Sequence, residues 1–339
     1  MYLNKFIIRK IENLGCESVF HVPGGAAFHL IDAVAKSKKL KLVPCLHEQA
    51  CAIAAETYFK LTGKIGVVLV TAGPGVSNIS TGLLSANVDR IPMIILSGQA
   101  QSKYLDHQHL RIYGPQAVSA SKLYGRLVPV LEVDEKTTCS KISKFIDDIN
   151  DESLNPRIIQ VPLDLQKKEL INVHLKSTLK RKSSESFQKN VDKLKKTFQG
   201  NILKSKRPVL LIGGGLSSLK GRKAVSKFSK QNTIPITLSW TAKDLLDNSD
   251  GNFCGLPGYF CNRAANAALY YSDLIIVIGS RLDPLQIGYQ TKELIGNKKL
   301  IIIDIDKEEL SKHEFSNQSK IRIDGVEALR ILDSVIFKN

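Results

Sequence analysis

One stretch, residues 66–99, restricts the possible folds more than any other. Gly66–Thr71 is an uninterrupted apolar run of strand length that ends in Ala72-Gly73-Pro74-Gly75. A helix-length segment, Val76–Asn87, follows, and then a second apolar run, Pro92–Ser97. An apolar run with no polar alternation is the signature of a strand buried on both faces, as in a parallel sheet covered by helices. Upstream, Leu46-His47-Glu48-Gln49 places a carboxylate just before a helical segment, Ala50–Leu61. Open parallel sheets build their sites at strand ends, from glycine loops and helix N-termini.

The same alternation runs through most of the chain. Residues 1–15 read as an amphipathic helix closed by Gly15, Ser18–Val22 as a strand broken by Pro23-Gly24-Gly25, Phe28–Ala35 as a helix, and Leu40–Leu46 as a strand. Residues 99–114 are polar and aromatic without a period. Ala117–Val130 and Lys141–Ile149 read as helices, with a short strand at Leu127–Leu131, and Arg157–Val161 as a strand. Further strands are expected at Pro208–Ile212, Ile234–Leu238, Leu274–Ile278 and Leu300–Ile305, with helices near Arg222–Gln231 and Ala264–Tyr271. The expected fold is α/β: two doubly wound domains with mostly parallel sheets, spanning residues 1–165 and 208–339. The length of 339 residues agrees with two domains.

Charge enters where the domains join. The chain carries a net +16, and Lys167 to Arg207 holds thirteen Lys and Arg against three Asp and Glu. Residues 166–207 therefore read as a basic, exposed linker, and the remaining excess is dispersed. Nucleic-acid binders concentrate charge on one face with interleaved aromatics, so no nucleic-acid partner is expected. No stretch has the apolar length of a membrane span, and the N-terminus lacks the apolar core of a signal peptide. Six scattered cysteines without metal-finger spacing suggest reduced thiols in a cytoplasmic protein.

The residues alone leave the chemistry open. Glu48 is either a helix N-terminal acid favoured by the dipole or a catalytic carboxylate. Gly73-Pro74-Gly75 permits close backbone approach, yet many α/β loops hold two glycines. Gly213-Gly214-Gly215 invites a dinucleotide reading, but Ser218 stands where G-x-G-x-x-G needs its last glycine. That disfavours a nicotinamide-dependent dehydrogenase. Gly279-Ser280-Arg281 is either a phosphate contact or a turn, and Asp304 either a ribose contact or a cap.

The order of these motifs resembles a known family. His47-Glu48-Gln49, Gly66–Asn78, Asp89-Arg90-Ile91-Pro92 and Ser97-Gly98-Gln99 resemble the pyrimidine-binding domain of thiamine-diphosphate enzymes, above all acetolactate synthase large subunits. Arg207-Pro208-Val209, Gly213–Gly215, Ile234-Pro235-Ile236, Gly279–Asp283 and Asp304-Ile305-Asp306 resemble that family's central domain. The resemblance implies that Glu48 bonds the aminopyrimidine ring nitrogen and promotes the tautomer whose nitrogen takes the thiazolium C2 proton. It implies cofactor contacts at Gly24, Gly25, Gly73, Pro74, Gly75 and Asn78, and a substrate contact at Gln108. The substrate would be pyruvate or another 2-keto acid. FAD, which the family's synthases bind, would meet Gly213, Gly214, Gly215, Arg281 and Asp304; the stretch 240–259 departs from the family pattern there. The family holds Mg²⁺ and the diphosphate through a C-terminal Gly-Asp-Gly motif and a following Asn. No Gly-Asp-Gly occurs in this sequence, so no metal ligand is expected in this chain and the diphosphate-binding domain is expected to be absent. A homodimer, or a hetero-assembly with a diphosphate-binding chain, is the expected partnership. The alternative is an inactive or regulatory truncated homologue.

Overall fold

A computed structural model of the chain describes residues 1–105, 109–114, 116–150, 155–170, 185–259, 261–289, 295–296, 298–312, 314–315 and 317–336. The chain divides into two units, Met1–Lys180 and Arg181–Asn339.

In chain order, the first unit comprises α1 (Leu3–Asn13), β1 (Ser18–His21), α2 (Phe28–Ala35), β2 (Lys41–Pro44), α3 (Glu48–Thr62), β3 (Gly66–Val70), α4 (Pro74–Ser77), α5 (Ser80–Val88), β4 (Met93–Gln99), α6 (Ala120–Tyr124), β5 (Val130–Glu132), α7 (Cys139–Asp147) and β6 (Arg157–Pro162). Its strands pair in parallel in the order β2-β1-β3-β4-β6-β5. Alternate residues of each strand feed opposite cores, as the two-residue side-chain period requires. Val67 and Leu69 pack with Phe6, Ile7, Leu30 and Ile146. Val68 and Val70 pack with Ala52, Ala55, Leu83 and Tyr124 on the other face. Burying both faces is why β3 and β4 carry apolar side chains at successive positions.

Helix α3 begins two residues earlier than its apolar pattern implies, which puts Glu48 in its first turn. The expected single helix 76–87 is broken into α4 and α5 at Asn78-Ile79. The expected helix 117–130 is cut to Ala120–Tyr124, because Gly125 follows and Pro129 leads into β5. On the other side of the sheet, Lys10 of α1 is fully buried and lies 2.9 Å from the carboxylate of Asp147 on α7.

The basic segment is not a linker throughout. Glu185–Ile202 forms α8, and Val191, Leu194, Phe198 and Ile202 bury an apolar stripe in the second unit's core. These positions recur at helical spacing and turn the intervening lysines outward. The second unit continues with β7 (Pro208–Ile212), α9 (Leu219–Gln231), β8 (Ile236–Leu238), β9 (Phe253–Gly255), α10 (Arg263–Tyr271), β10 (Leu274–Ile278), α11 (Pro284–Ile287), β11 (Lys299–Asp304), α12 (Lys307–Ser311), β12 (Gln318–Arg322) and α13 (Gly325–Ile336). Its parallel order is β12-β11-β10-β7-β8-β9. Both units are therefore doubly wound α/β domains. Among the described residues no helix is long and apolar enough to cross a membrane.

Strand order locates the crevices. In the first unit the chain leaves β1 toward β2 and returns on β1's other side as β3, so the switch point lies between the ends of β1 and β3. In the second unit it lies between β7 and β10. Ligand crevices in open sheets form outside the strand ends at such points.

Candidate functional site

The first unit's switch point gathers most of the expected cofactor-site residues. Beyond β1, Gly24 lies against Thr71 at the end of β3: a Cβ on Gly24 would fall 2.4 Å from the Thr71 Cβ. The two strand ends can meet only where one has no side chain. Gly73 has φ +61°, and a Cβ there would fall 2.0 Å from the carbonyl oxygen of Gln116. It is needed both for conformation and for space. Pro74 then opens α4 at a position where its missing N–H costs nothing. Gly75 is wedged between Thr71 and Glu48, its Cβ position 2.8 Å from the Thr71 Cγ2 and 3.7 Å from the Glu48 Oε1. A Cβ on Gly25 would meet nothing of the chain within 4 Å, so space is open there.

Glu48 reaches this crevice from the start of α3. His47 caps α3, its Nδ1 accepting the Gln49 N–H at 3.1 Å, and Glu48 follows in the first turn. Its side chain is nearly buried, at 9% exposure. Asn78, at the break between α4 and α5, donates its Nδ2–H to Glu48 Oε2 at 3.0 Å. Among the described residues Oε1 takes no hydrogen bond and no cation pairs with the carboxylate. A carboxylate held by one neutral donor keeps one oxygen for a ligand. One turn later, burial pushes the Cys51 thiol well above its usual range, with Cys45 and Glu48 adding to the effect.

The structure thus brings Gly24, Gly73, Pro74, Gly75, Asn78 and Glu48 to one place. Gln108 lies outside the described residues. Thr71 is a member that the sequence motifs did not single out, although a hydroxyl residue between a buried strand and a glycine loop is a usable signal. Tyr124, 5% exposed, was missed too; its hydroxyl lies 2.9 Å from the carbonyl oxygen of Val76.

His21, the last residue of β1, shares the sheet face of Val19. Its Nδ1 is buried without a partner among the described residues, and burial lowers its pKa. Below about pH 6.5 the unfolded imidazole takes up a proton that the folded one resists, so stability falls as pH drops through that point. Thermal melts of wild type and His21→Leu between pH 7.5 and 5.5 check this. The wild type should lose more Tm on acidification than the variant.

The second unit uses its glycines differently. The Gly213 N–H donates to the carbonyl of Ile278 at 2.9 Å, and the Gly215 N–H to that of Gly279 at 3.0 Å. A Cβ on Gly213 would fall 2.1 Å from the Gly279 oxygen, and one on Gly214 would fall 2.5 Å from the Thr241 Oγ1. These glycines let two strand-end loops press together, and the amides of Gly213 and Gly215 are spent on backbone carbonyls rather than offered to a phosphate. Arg281 is about half exposed, with its Nε 3.8 Å from Glu309. Asp304 ends β11, accepting the Asp306 N–H at 2.8 Å, and burial raises its pKa. As a dinucleotide cradle this set is poorly fitted. No group of three or more His, Cys, Asp or Glu side chains forms a metal position among the described residues.

Comparison with known proteins matches the same two units. The thiamine pyrophosphate enzyme N-terminal TPP binding domain matches residues 1–118, and the thiamine pyrophosphate enzyme central domain matches residues 197–329. An acetolactate synthase large subunit of Haemophilus influenzae is 28% identical over 321 residues, covering 91% of this chain and 53% of that protein. One from Corynebacterium glutamicum is 29% identical over 316 residues, covering 91% and 48%. One from Buchnera aphidicola is 28% identical over 326 residues, covering 91% and 53%. The chain spans about half the length of these curated relatives.

Proposed function

From the chain's membership of the thiamine pyrophosphate enzyme family, through its N-terminal and central domains, we propose that it supplies the aminopyrimidine-binding half of an acetolactate-synthase-like site. The observation that carries this reading is Glu48: nearly buried, held by Asn78, with Oε1 free at the mouth of a glycine-lined crevice. When bound, thiamine diphosphate supplies a C2 carbon that adds to the carbonyl of pyruvate or another 2-keto acid and supports decarboxylation and transfer to an acceptor. Glu48 would hold or share a proton at the pyrimidine ring nitrogen through Oε1. Asn78 would orient the carboxylate by its bond to Oε2. Gly24, Gly25, Gly73, Pro74 and Gly75 would leave the ring room against backbone and Thr71. The Gly213–Gly215 loop, Arg281 and Asp304 carry no step in this proposal, and FAD is left out of it.

Mg²⁺ and the diphosphate would be held by a diphosphate-binding domain or a separate partner chain. An assembled site is supported by exposed apolar side chains on the elements that flank Glu48: Leu46 just before it, Ile53 along α3, and Leu84 and Val88 along α5. All six cysteines are free thiols, which suits a cytoplasmic setting.

Carbon dioxide release from pyruvate tests the proposal. The chain is assayed with thiamine diphosphate and Mg²⁺, alone and mixed with a protein carrying a diphosphate-binding domain of this family. Release that depends on the chain is the expected result. None in either mixture, from folded protein, would overturn it.

A further inference from the structure

The bond between Asn78 and Glu48 depends on where the helix breaks, and the break has its own support. Because α4 stops at Ser77 and α5 begins at Ser80, the carbonyls of Val76 and Ser77 sit at a helix end, where ladder partners run out. The Tyr124 hydroxyl fills that gap together with the Ser80 hydroxyl, which donates to the Ser77 carbonyl at 2.5 Å. The Tyr124 oxygen lies 2.9 Å from the Val76 oxygen, 3.1 Å from the Ser77 oxygen and 2.7 Å from the Ser80 hydroxyl. Its ring is packed into the core on the α3 and α5 side of the sheet, next to Val76 and Ile79.

Tyr124 is itself held rigidly. It ends α6, a helix of five residues whose start is fixed at three points. Ser119 caps the helix by accepting the Lys122 N–H at 3.1 Å, and donates its own hydroxyl to Glu132 on β5 at 2.5 Å. The Ser121 N–H reaches the same Glu132 oxygen at 3.0 Å. The Ala120 N–H donates to the buried Gln160 side chain on β6 at 2.9 Å. A continuous set of bonds therefore runs from the sheet through α6 and Tyr124 to the break, and from there through Asn78 to Glu48.

We propose that Tyr124 is a positioning residue whose hydroxyl pins the α4–α5 break and so holds the Asn78 amide on Glu48. The consequence for cofactor binding rests on the proposed function; the placement of Asn78 does not. Tyr124→Phe keeps the ring and removes only the hydroxyl. Ser80→Ala, which removes the Ser80 hydroxyl's contacts with Tyr124 and with the Ser77 carbonyl, is a second variant acting on the same break. Ile142→Val, a small core truncation on the opposite face of the sheet, is the control for general loss of stability.

Two readouts separate the outcomes. The first is the side-chain ¹⁵N amide signal of Asn78 in the ligand-free chain, assigned by its absence in Asn78→Ala. The second is thiamine diphosphate affinity in the presence of Mg²⁺ and the diphosphate-binding partner. Tyr124→Phe should shift the Asn78 signal, speed its solvent exchange and weaken affinity about tenfold, the scale of one buried hydrogen bond. Ser80→Ala should move the Asn78 signal in the same direction, and Ile142→Val should leave both readouts unchanged. An unchanged Asn78 signal in Tyr124→Phe, or an equal change in Ile142→Val, would overturn the proposal. Absence of cofactor binding by the wild type would count against the functional reading, and the Asn78 signal would still decide the role of Tyr124.

Discussion

Glu48→Gln should slow exchange of the C2 proton of bound thiamine diphosphate by about 10²–10⁴-fold, the usual contribution of a positioned acid–base group. The change is nearly isosteric. Its carbonyl oxygen can still accept from Asn78 at the 3.0 Å position, so the geometry of the break is kept. What is lost is the ability to hold or share a proton, because a neutral amide neither carries the charge nor takes up a proton near pH 7. Affinity should fall far less than the exchange rate. Acid-quenched hydrogen–deuterium exchange followed by NMR measures the rate, and calorimetry the affinity. Parallel losses in both would mean that Glu48 serves binding alone.

Lys10→Met should destabilise the first unit by about 3–5 kcal/mol, the usual cost of stranding one member of a buried ion pair. Lys10 is completely buried, Asp147 is 8% exposed, and the two are 2.9 Å apart. Without the ammonium, the Asp147 carboxylate must stay charged in the core or take up a proton, and either costs free energy. The double variant Lys10→Met/Asp147→Leu removes both charges and should recover most of the loss, because apolar replacements of a buried pair are often neutral. Urea unfolding of the three variants measures this. A single variant as stable as wild type would show that solvent reaches the pair.

Strands buried on both faces were the most legible part of the fold. β3 and β10 are apolar throughout, and β4 and β11 through residues 93–96 and 300–303, as strands covered on both faces require. The break at Asn78-Ile79 was not legible, because residues 76–87 have a good helical pattern. The Val76 carbonyl that the break leaves over is answered by Tyr124, more than forty residues further along the chain, and the Ser77 carbonyl by Tyr124 and Ser80. Helix α8 was hidden for a different reason: its buried stripe of Val191, Leu194, Phe198 and Ile202 is diluted by lysines that dominate the composition. At the candidate site, Glu48 could be singled out as a carboxylate at a strand-to-helix junction. The resemblance names Asn78, thirty positions away, only as a cofactor contact; that its amide donates to Glu48 is visible in the fold alone. Gly213–Gly215 invited a nucleotide reading, and the fold gives them a packing reason to be glycine. Gly213 and Gly215 press against the Gly279 backbone and Gly214 against Thr241, contacts between distant segments that local sequence does not encode.

The central claim is that the Glu48 carboxylate faces the pyrimidine ring nitrogen of thiamine diphosphate. Its most direct test is the affinity of the assembled protein for thiamine diphosphate against an analogue carrying C–H in place of that nitrogen. Wild type should prefer the natural cofactor by at least about tenfold, as expected for a hydrogen bond to a charged group. That preference should shrink in Glu48→Gln. Equal affinities in the wild type, or a preference unchanged by Glu48→Gln, would contradict the claim.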